Sequence, residues 1–195
     1  MYKVRDPLNL NTLKSRLITR GFSQEHGVNY FETYAPTVDE SILKTFLAIV
    51  AYRDLHCHHV DVNNAFTQAP LKERIYMKPP PGVILPRGRV WALKKSLYGL
   101  KQAARDWYNM CSTTLQDLGF RASPREPCLF HHATRDLHLL LYVDDCLVAS
   151  RLLSDLVWFK ASFGSRFKTK DLGPVRRILR LDIERDRHRR LLTVS

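Results

Sequence analysis

The stretch LHLLLYVDDCLVAS, residues 137–150, decides how the rest of the chain is interpreted. Its apolar residues are typical of a buried strand, yet two carboxylates, Asp144 and Asp145, stand side by side at its centre. An isolated buried carboxylate is costly, and neighbouring strand residues point to opposite faces of a sheet. Two explanations are open. Either the pair occupies a tight turn between strands 137–142 and 146–150, or a cation compensates the negative charge.

The composition favours a globular protein with a polyanionic partner. The chain has 195 residues, 45% of them hydrophobic, which is enough for one sizeable core. A formal net charge of +12 predicts binding to nucleic acid or to an anionic membrane. No apolar run has the length of a membrane span, about 18 residues, and MYKVRDPLNL lacks the apolar segment of a secretory signal. We therefore expect nucleic acid, no membrane, and an intracellular location in a cytoplasmic particle or the nucleus.

Helix and strand patterns alternate irregularly, which predicts an α+β fold with an antiparallel sheet. A polar turn is expected over Asp6–Asn11, and residues 167–186, which open with FKTKDLG, are expected to form a loop followed by a strand. The four separated cysteines are interpreted as reduced thiols in the core. The main predicted elements are strands over 14–22, 56–62, 120–123, 128–132, 137–142 and 146–150, and helices over 39–54, 100–118 and 154–163.

A third carboxylate, Asp61, ends the apolar strand HCHHVDV just before the polar bend at Asn63 and Asn64. If that strand lies beside the 137–150 hairpin, Asp61 and Asp144 reach the same end of the sheet, with Asp145 beside them. Mg²⁺ takes oxygen ligands, and two such ions about 4 Å apart serve phosphoryl transfer. The cluster therefore predicts a two-metal site. The alternative is an exposed Asp-rich turn, with Asp61 as a cap.

The motif YVDD, residues 142–145, resembles the catalytic hairpin of reverse transcriptases. Its flanking sequence is similar to the reverse transcriptase of copia-type LTR retrotransposons, over nearly the whole chain. The similar blocks occur in that family's order: KSRLITRGFSQEHGVNYFETYAPTV, VDVNNAFTQAPLKERIYMKPPPG, WALKKSLYGLKQAARDWY, LLLYVDDCLVAS and KTKDLG.

The resemblance implies a polymerase fingers–palm fold, in which helices pack on an antiparallel palm sheet. It implies one reverse transcriptase domain fragment over 1–195: mainly fingers over 1–54, and mainly palm over 55–195, with the fingers segment 72–98 interleaved. We expect the thumb to be missing, because the chain ends about where the family continues into it. The implied activity is RNA-directed DNA polymerisation: two-metal nucleotidyl transfer from a dNTP to a primer 3′-OH on an RNA or DNA template.

The resemblance also implies residue roles. Asp61, Asp144 and Asp145 match the catalytic carboxylates that hold two Mg²⁺ ions, with Mn²⁺ as a substitute. Phe66 matches the bulky side chain under the incoming sugar, where it would clash with a 2′-OH; the alternative is an ordinary core Phe. Lys14 and Arg16 match residues that touch the triphosphate, and the alternative for them is a solvated strand face.

The block SLYGLKQAARDWY resembles the family segment that packs against template and nucleotide. There, Gly99 matches a position of close backbone approach to the nucleotide, and Lys101 and Gln102 match polar contacts to nucleic acid. Nine Lys or Arg and only two Asp or Glu lie between Lys72 and Tyr108, interleaved with aromatic residues. Such a basic and aromatic surface suits a phosphate backbone with stacked bases. The alternative is a solvated helix face above core aromatics.

Two rival interpretations remain. His56, His58 and Asp61 could be zinc ligands, but their spacing matches no catalytic zinc motif. The stronger rival is a catalytically inactive transposon remnant that only binds nucleic acid. The expected absence of the thumb, and of RNase H, integrase and protease regions, supports it. Two departures from the family also occur: Arg180, where the family has Gly, puts the late-palm geometry in doubt, whereas Cys146, where an aliphatic residue is usual, is a small apolar residue and is harmless.

Overall fold

The computed structural model describes residues 2–3 and 14–195. The chain divides into two compact units, one drawn from residues 1–34 and 66–107 and the other from 35–65 and 108–195. The predicted α+β class with an antiparallel sheet is confirmed, and the described part contains the three predicted helices. The predicted turn Asp6–Asn11 lies outside the described residues.

The first unit contains two antiparallel strand pairs, β1 with β2 and β4 with β5. Its small core is built on buried Ile75, Leu100 and Ala103, against which Phe66 and Leu93 pack. The start of the second helix, α2, also belongs to this unit. The strands of the unit are β1 Tyr2–Lys3, β2 Lys14–Ser15, β4 Pro70–Met77 and β5 Trp91–Lys95.

The second unit is built on a six-stranded sheet in the order β10-β3-β9-β8-β7-β6, with antiparallel pairing throughout. A separate three-stranded sheet, β11-β12-β13, follows. The bounds are β3 His56–Val62, β6 Phe120–Ala122, β7 Leu129–His132, β8 Leu137–Tyr142, β9 Asp145–Ser150, β10 Thr169–Pro174, β11 Arg177–Ile178, β12 Leu181–Asp186 and β13 Leu191–Val194. The helices are α1 Glu40–Tyr52, α2 Ala103–Asp117 and α3 Leu153–Gly164.

Helix α1 covers one face of the six-stranded sheet. Its buried side chains pack with sheet residues such as Leu147 in one apolar cluster; they are Leu43, Phe46, Leu47 and Val50. Side chains alternate between the two faces along each strand. The opposite face packs against α3, where Phe159 lies 5.7 Å from the ring of Phe120 on β6. The central strands are therefore buried on both faces, which accounts for the apolar runs in their sequence.

The predicted helices are confirmed, each with small shifts at its ends. Asp39 caps α1 because its side chain accepts a hydrogen bond from the backbone of Ser41. Gly119, with a φ of +91°, ends α2 as predicted. No helix in the part of the chain that the structure describes is long and apolar enough to cross a membrane. All four cysteines are buried and free, as predicted.

Two element predictions were wrong. The basic strand over 14–22 reaches only to Ser15; beyond it, Thr19 donates its backbone N–H to the carbonyl of Tyr98, at 2.8 Å, rather than to a continued strand ladder. The motif KTKDLG is not a loop, because β10 begins at Thr169 and pairs with β3. This strand lacks an alternating apolar pattern for two reasons. It lies at the exposed, charged edge of the sheet, and its register shifts between Asp171 and Gly173.

Candidate functional site

Three carboxylates meet at one end of the six-stranded sheet in the second unit. Asp61 on β3 and Asp145 on β9 are directly opposed cross-strand neighbours, so their side chains leave the sheet on the same face. Asp144 lies in the adjoining turn, and its carbonyl accepts the backbone N–H of Val62 at 2.7 Å. The structure thus brings together the three residues that the sequence singled out.

The hairpin turn between β8 and β9 consists of only two residues, Val143 and Asp144. Val143 has a φ of +52°, a conformation that is strained for a β-branched side chain. Such strain persists only where the surrounding structure fixes the backbone, and it is concentrated at functional sites. The predicted tight turn is confirmed for Asp144 but not for Asp145, which is the first residue of β9 and pairs with Tyr142. Both carboxylate residues are only partly exposed.

The three carboxylates all act on one neighbouring buried thiol, that of Cys146. Burial raises the pKa of Cys146 well above its usual range, and nearby Cys111 adds to this effect. The negative charges of Asp145, Asp144 and Asp61 raise the pKa further. All three carboxylates therefore concentrate negative charge around one buried point next to the hairpin.

The donor set fits Mg²⁺ by its chemistry, because Mg²⁺ prefers hard carboxylate oxygens. Strand β3 pairs with β9 on one side and with β10 on the other, and on β10 the residue opposite Asp61 is Lys170. The three side chains do not converge on one point as the ligands of a bound ion do. Among the described residues, no group of three or more His, Cys, Asp or Glu is placed to hold a metal ion. Ligation thus requires the carboxylates to turn toward a shared ion.

The histidines of the zinc interpretation face other partners. The ring of His56 lies 2.7 Å from a guanidinium nitrogen of Arg187, and Nδ1 of His58 lies 2.6 Å from Nζ of Lys160. Burial, followed by these neighbouring cations, lowers the pKa of both rings. Positive charge beside both rings opposes the binding of a further cation there.

The predicted nucleotide-binding residues belong to the first unit. The ring of Phe66 lies 4.8 Å from that of Tyr98, centroid to centroid, and the guanidinium carbon of Arg16 lies 5.4 Å from the same Tyr98 ring. The last distance is within the range of a cation–π contact. Lys14 begins strand β2. Arg16 is exposed, so its charge is available to a ligand.

Gly99 has a φ of +92°, and a Cβ added there would overlap the carbonyl oxygen of Thr19 and approach a methyl carbon of Ile18 to 2.8 Å. The close backbone approach expected at Gly99 is thus made by the chain itself. Lys101 is exposed, and its Nζ lies 3.1 Å from the hydroxyl of Tyr30. The nucleotide and nucleic-acid roles of Gly99 and Lys101 stay predictions.

Gln102 is buried within the first unit, at 1% exposure. Its side-chain oxygen accepts a hydrogen bond from Nε2 of Gln24 at 3.0 Å, and its own Nε2 donates to the carbonyl of Asn29 at 2.9 Å. Gln24 also accepts the backbone N–H of Lys101 at 2.8 Å. The structure gives Gln102 a bracing position between segments, and its predicted contact with nucleic acid stays a prediction.

Comparison with known families identifies the chain. The sequence model of the family described as reverse transcriptase (RNA-dependent DNA polymerase) matches residues 1–193. The chain belongs to the reverse transcriptase family. No solved structure matches this reverse transcriptase chain.

Plant transposon polyproteins are similar to this chain over almost its whole length. It is 35% identical to the retrovirus-related Pol polyprotein from transposon TNT 1-94 of Nicotiana tabacum, over 93% of the chain and 14% of that polyprotein. It is 33% and 34% identical to the Pol polyproteins from transposons RE2 and RE1 of Arabidopsis thaliana, over 91% of the chain and 12% of each. The chain spans a small part of these curated relatives. The copia-type resemblance is confirmed.

Sequence reasoning missed one residue of the candidate site. His59 is buried on β3, and its Nε2 lies 2.6 Å from Oδ1 of Asp145. The available signal was the spacing of two between His59 and Asp61, which puts both on the face of the strand that Asp145 shares. Without the register of β3 against β9, the histidine could not be connected to that carboxylate.

Proposed function

We propose that this chain is the fingers–palm part of an RNA-directed DNA polymerase of a copia-type retrotransposon. It would join a dNTP to the 3′-OH of a primer on an RNA or DNA template. The observation that carries the proposal is the meeting of Asp61, Asp144 and Asp145 at one end of an antiparallel sheet, in a chain of the reverse transcriptase family.

The proposed mechanism depends mainly on positioning and electrostatics. Asp61, Asp144 and Asp145 would hold two Mg²⁺ ions, or Mn²⁺ in their place. When bound, the ions lower the pKa of the primer 3′-OH and stabilise the departing phosphates. The primer oxygen forms a bond to the α-phosphorus of the dNTP while the bond to pyrophosphate breaks. The strained two-residue turn keeps Asp144 beside Asp61 through the backbone bond to Val62.

Residues of the first unit would bind the nucleotide. An exposed Arg at position 16 suits a triphosphate because its planar guanidinium offers several donors to phosphate oxygens. Lys14 would add charge, and Phe66 would exclude a 2′-OH by steric conflict. Lys101 would contact the nucleic-acid backbone.

The fingers–palm division is part of the proposal. The predicted interleaved fingers segment, 72–98, falls within the first compact unit, and the carboxylate cluster falls within the second. Residues 35–54, which the prediction placed mainly in the fingers, fall within the second unit. We therefore propose the fingers for the first unit and the catalytic palm for the second, with 35–54 included in the palm.

A catalytically inactive remnant that only binds nucleic acid is the second candidate. The observation that favours it is Arg180, which occupies a left-handed backbone position with a φ of +73° where the family has Gly. An Arg in this conformation costs backbone free energy that a Gly would not, as expected for a chain in which the late-palm geometry is no longer selected.

Primer extension on an RNA template in the presence of Mg²⁺ tests the proposal, with wild type compared with Asp144→Asn. The substitution keeps the side-chain shape but removes a charged oxygen ligand, so we expect extension to fall by about 10³-fold or more. Duplex binding should be retained, since no cation is lost. Asp117→Asn, which alters an exposed carboxylate on α2, serves as the matched control and should extend like wild type.

The two candidate functions give different results in this assay. Extension by Asp144→Asn at the wild-type rate would overturn the proposed role of the hairpin. No extension by any variant, together with salt-sensitive nucleic-acid binding, supports the inactive remnant.

A further inference from the structure

His59 makes a short hydrogen bond to a carboxylate of the proposed metal site. Its Nε2 lies 2.6 Å from Oδ1 of Asp145. An ionised carboxylate only accepts hydrogen bonds, so Nε2–H is the donor. The side chain of Asp145 is 26% exposed and that of His59 only 9%. The carboxylate is thus held from its buried side, while its other side remains open to solvent.

The backbone makes this contact a fixed part of the sheet. His59 and Asp61 are two residues apart on β3, and Asp145 is directly opposite Asp61 on β9. The three side chains therefore occupy one face within two neighbouring strands. A buried histidine in this position has little rotamer freedom, so it restricts the orientation of the carboxylate that it contacts.

We propose that His59 is a positioning residue that sets the affinity of the carboxylate cluster for divalent cations. By holding Oδ1 of Asp145, it fixes that carboxylate next to Asp61 before any ion arrives. The inference rests on the proposed function, because it assumes that the cluster binds metal. Groups that orient a metal ligand commonly change metal affinity by 10- to 100-fold when removed.

The contact itself is tested without metal. Long-range ¹H–¹⁵N correlation spectra of the 195-residue chain resolve histidine ring nitrogens, and we expect the Nε2 signal of His59 to move in Asp145→Ala. Asp144→Ala serves as the control and should leave that signal nearly unchanged. A His59 signal that is indifferent to Asp145→Ala would overturn the inference.

The consequence for metal binding is measured with Mn²⁺ alone, by electron paramagnetic resonance, in wild type, His59→Leu and His59→Gln. Leu removes the donor, so we expect Mn²⁺ affinity to fall by about tenfold or more. Gln restores an N–H donor on a flexible side chain and should remain within about threefold of wild type. His58→Leu is the matched control, because it removes a histidine of the same strand that faces Lys160 instead.

The outcomes separate this inference from the proposed function. If Asp144→Asn weakens Mn²⁺ binding and His59→Leu does not, the metal site stands and the role of His59 is overturned. That role is also overturned if His59→Gln loses as much affinity as His59→Leu. If Mn²⁺ binding is absent or unaffected by Asp144→Asn, the proposed metal site fails, even where the spectra show the His59–Asp145 contact.

Discussion

Arg180 is strained by its backbone. Its φ of +73° in the turn between β11 and β12 is a left-handed conformation, which an L-residue other than Gly adopts at a cost of about 1 kcal/mol. The side chain is exposed, so little packing offsets that cost. A Gly at this position would adopt the same φ freely.

Arg180→Gly should therefore stabilise the chain. We expect the free energy of unfolding to rise by about 0.5–1 kcal/mol after the extra chain entropy of Gly is counted, as measured by urea unfolding. Arg177→Gly, on β11 of the same sheet, is the matched control and should destabilise by about 0.5–1 kcal/mol. If both variants lose stability equally, the backbone at Arg180 is not strained.

At the residue scale, the carboxylates could be predicted from sequence because three Asp residues interrupt or end apolar strands, where a carboxylate without a partner is unfavourable. Two other features of the site could not be predicted from the sequence. The positive φ of Val143 contradicts the preference of a β-branched residue, and the His59–Asp145 bond depends on strand register. Both are set by tertiary pairing, which a local pattern does not contain.

At the element scale, Asp54 ties the end of α1 to the basic residues of β12 and the turn after it. Its carboxylate accepts bonds of 3.0 Å from Nε and Nη2 of Arg187, and from Nη2 of Arg185. The hydrogen bonds from Arg187 are the main reason that the pKa of Asp54 is lower than that of an ordinary Asp. A lowered folded-state pKa means that the stabilisation is complete above the unfolded-state value and is lost as pH falls through the folded-state value.

Asp54→Asn should lower the melting temperature by a few degrees at pH 7, because the neutral amide cannot accept the same bidentate charge pair. The difference from wild type should begin to shrink below about pH 4, where the unfolded-state carboxyl takes up a proton, and should disappear as pH falls through the lower folded-state pKa. Asn tolerates the φ of +52° at this position, so the variant adds no backbone strain. Thermal melts followed by circular dichroism at pH 7 and pH 3 give both values.

Asp182→Asn is the control for this prediction, since it removes an exposed pair with Arg177 and should change the melting temperature little. An Asp54→Asn deficit that is equal at pH 3 and pH 7 would show that the loss does not come from charge.

Elements with strong local signals were predictable. Helix α1 combines an apolar stripe at helical spacing with the cap Asp39, and the β8–β9 hairpin has long apolar runs. Strand β10 was not, because its charged edge residues and its register shift give no period-two pattern. Its strand conformation is a consequence of pairing with β3, which lies more than a hundred residues earlier in the chain.

At the scale of the whole molecule, the formal net charge of +12 dominates the expected behaviour. A basic surface binds nucleic acid by displacing counterions from phosphates, and each neutralised phosphate adds about 0.9 to the slope of log affinity against log salt. With about six phosphate contacts, affinity for a primer–template duplex should fall by about 10³-fold between 50 and 200 mM salt. Fluorescence anisotropy across this range measures the slope.

Two controls isolate the phosphate contribution to this binding. A peptide nucleic acid of the same base sequence has no phosphates, so its binding should be weak and should not follow salt. Asp144→Asn removes a negative charge rather than a cation, so its slope should equal that of wild type even though extension is lost. A shallow wild-type slope would mean that binding relies on stacking with aromatic residues rather than on phosphate contacts. The net charge would then not be the reason that the chain binds nucleic acid.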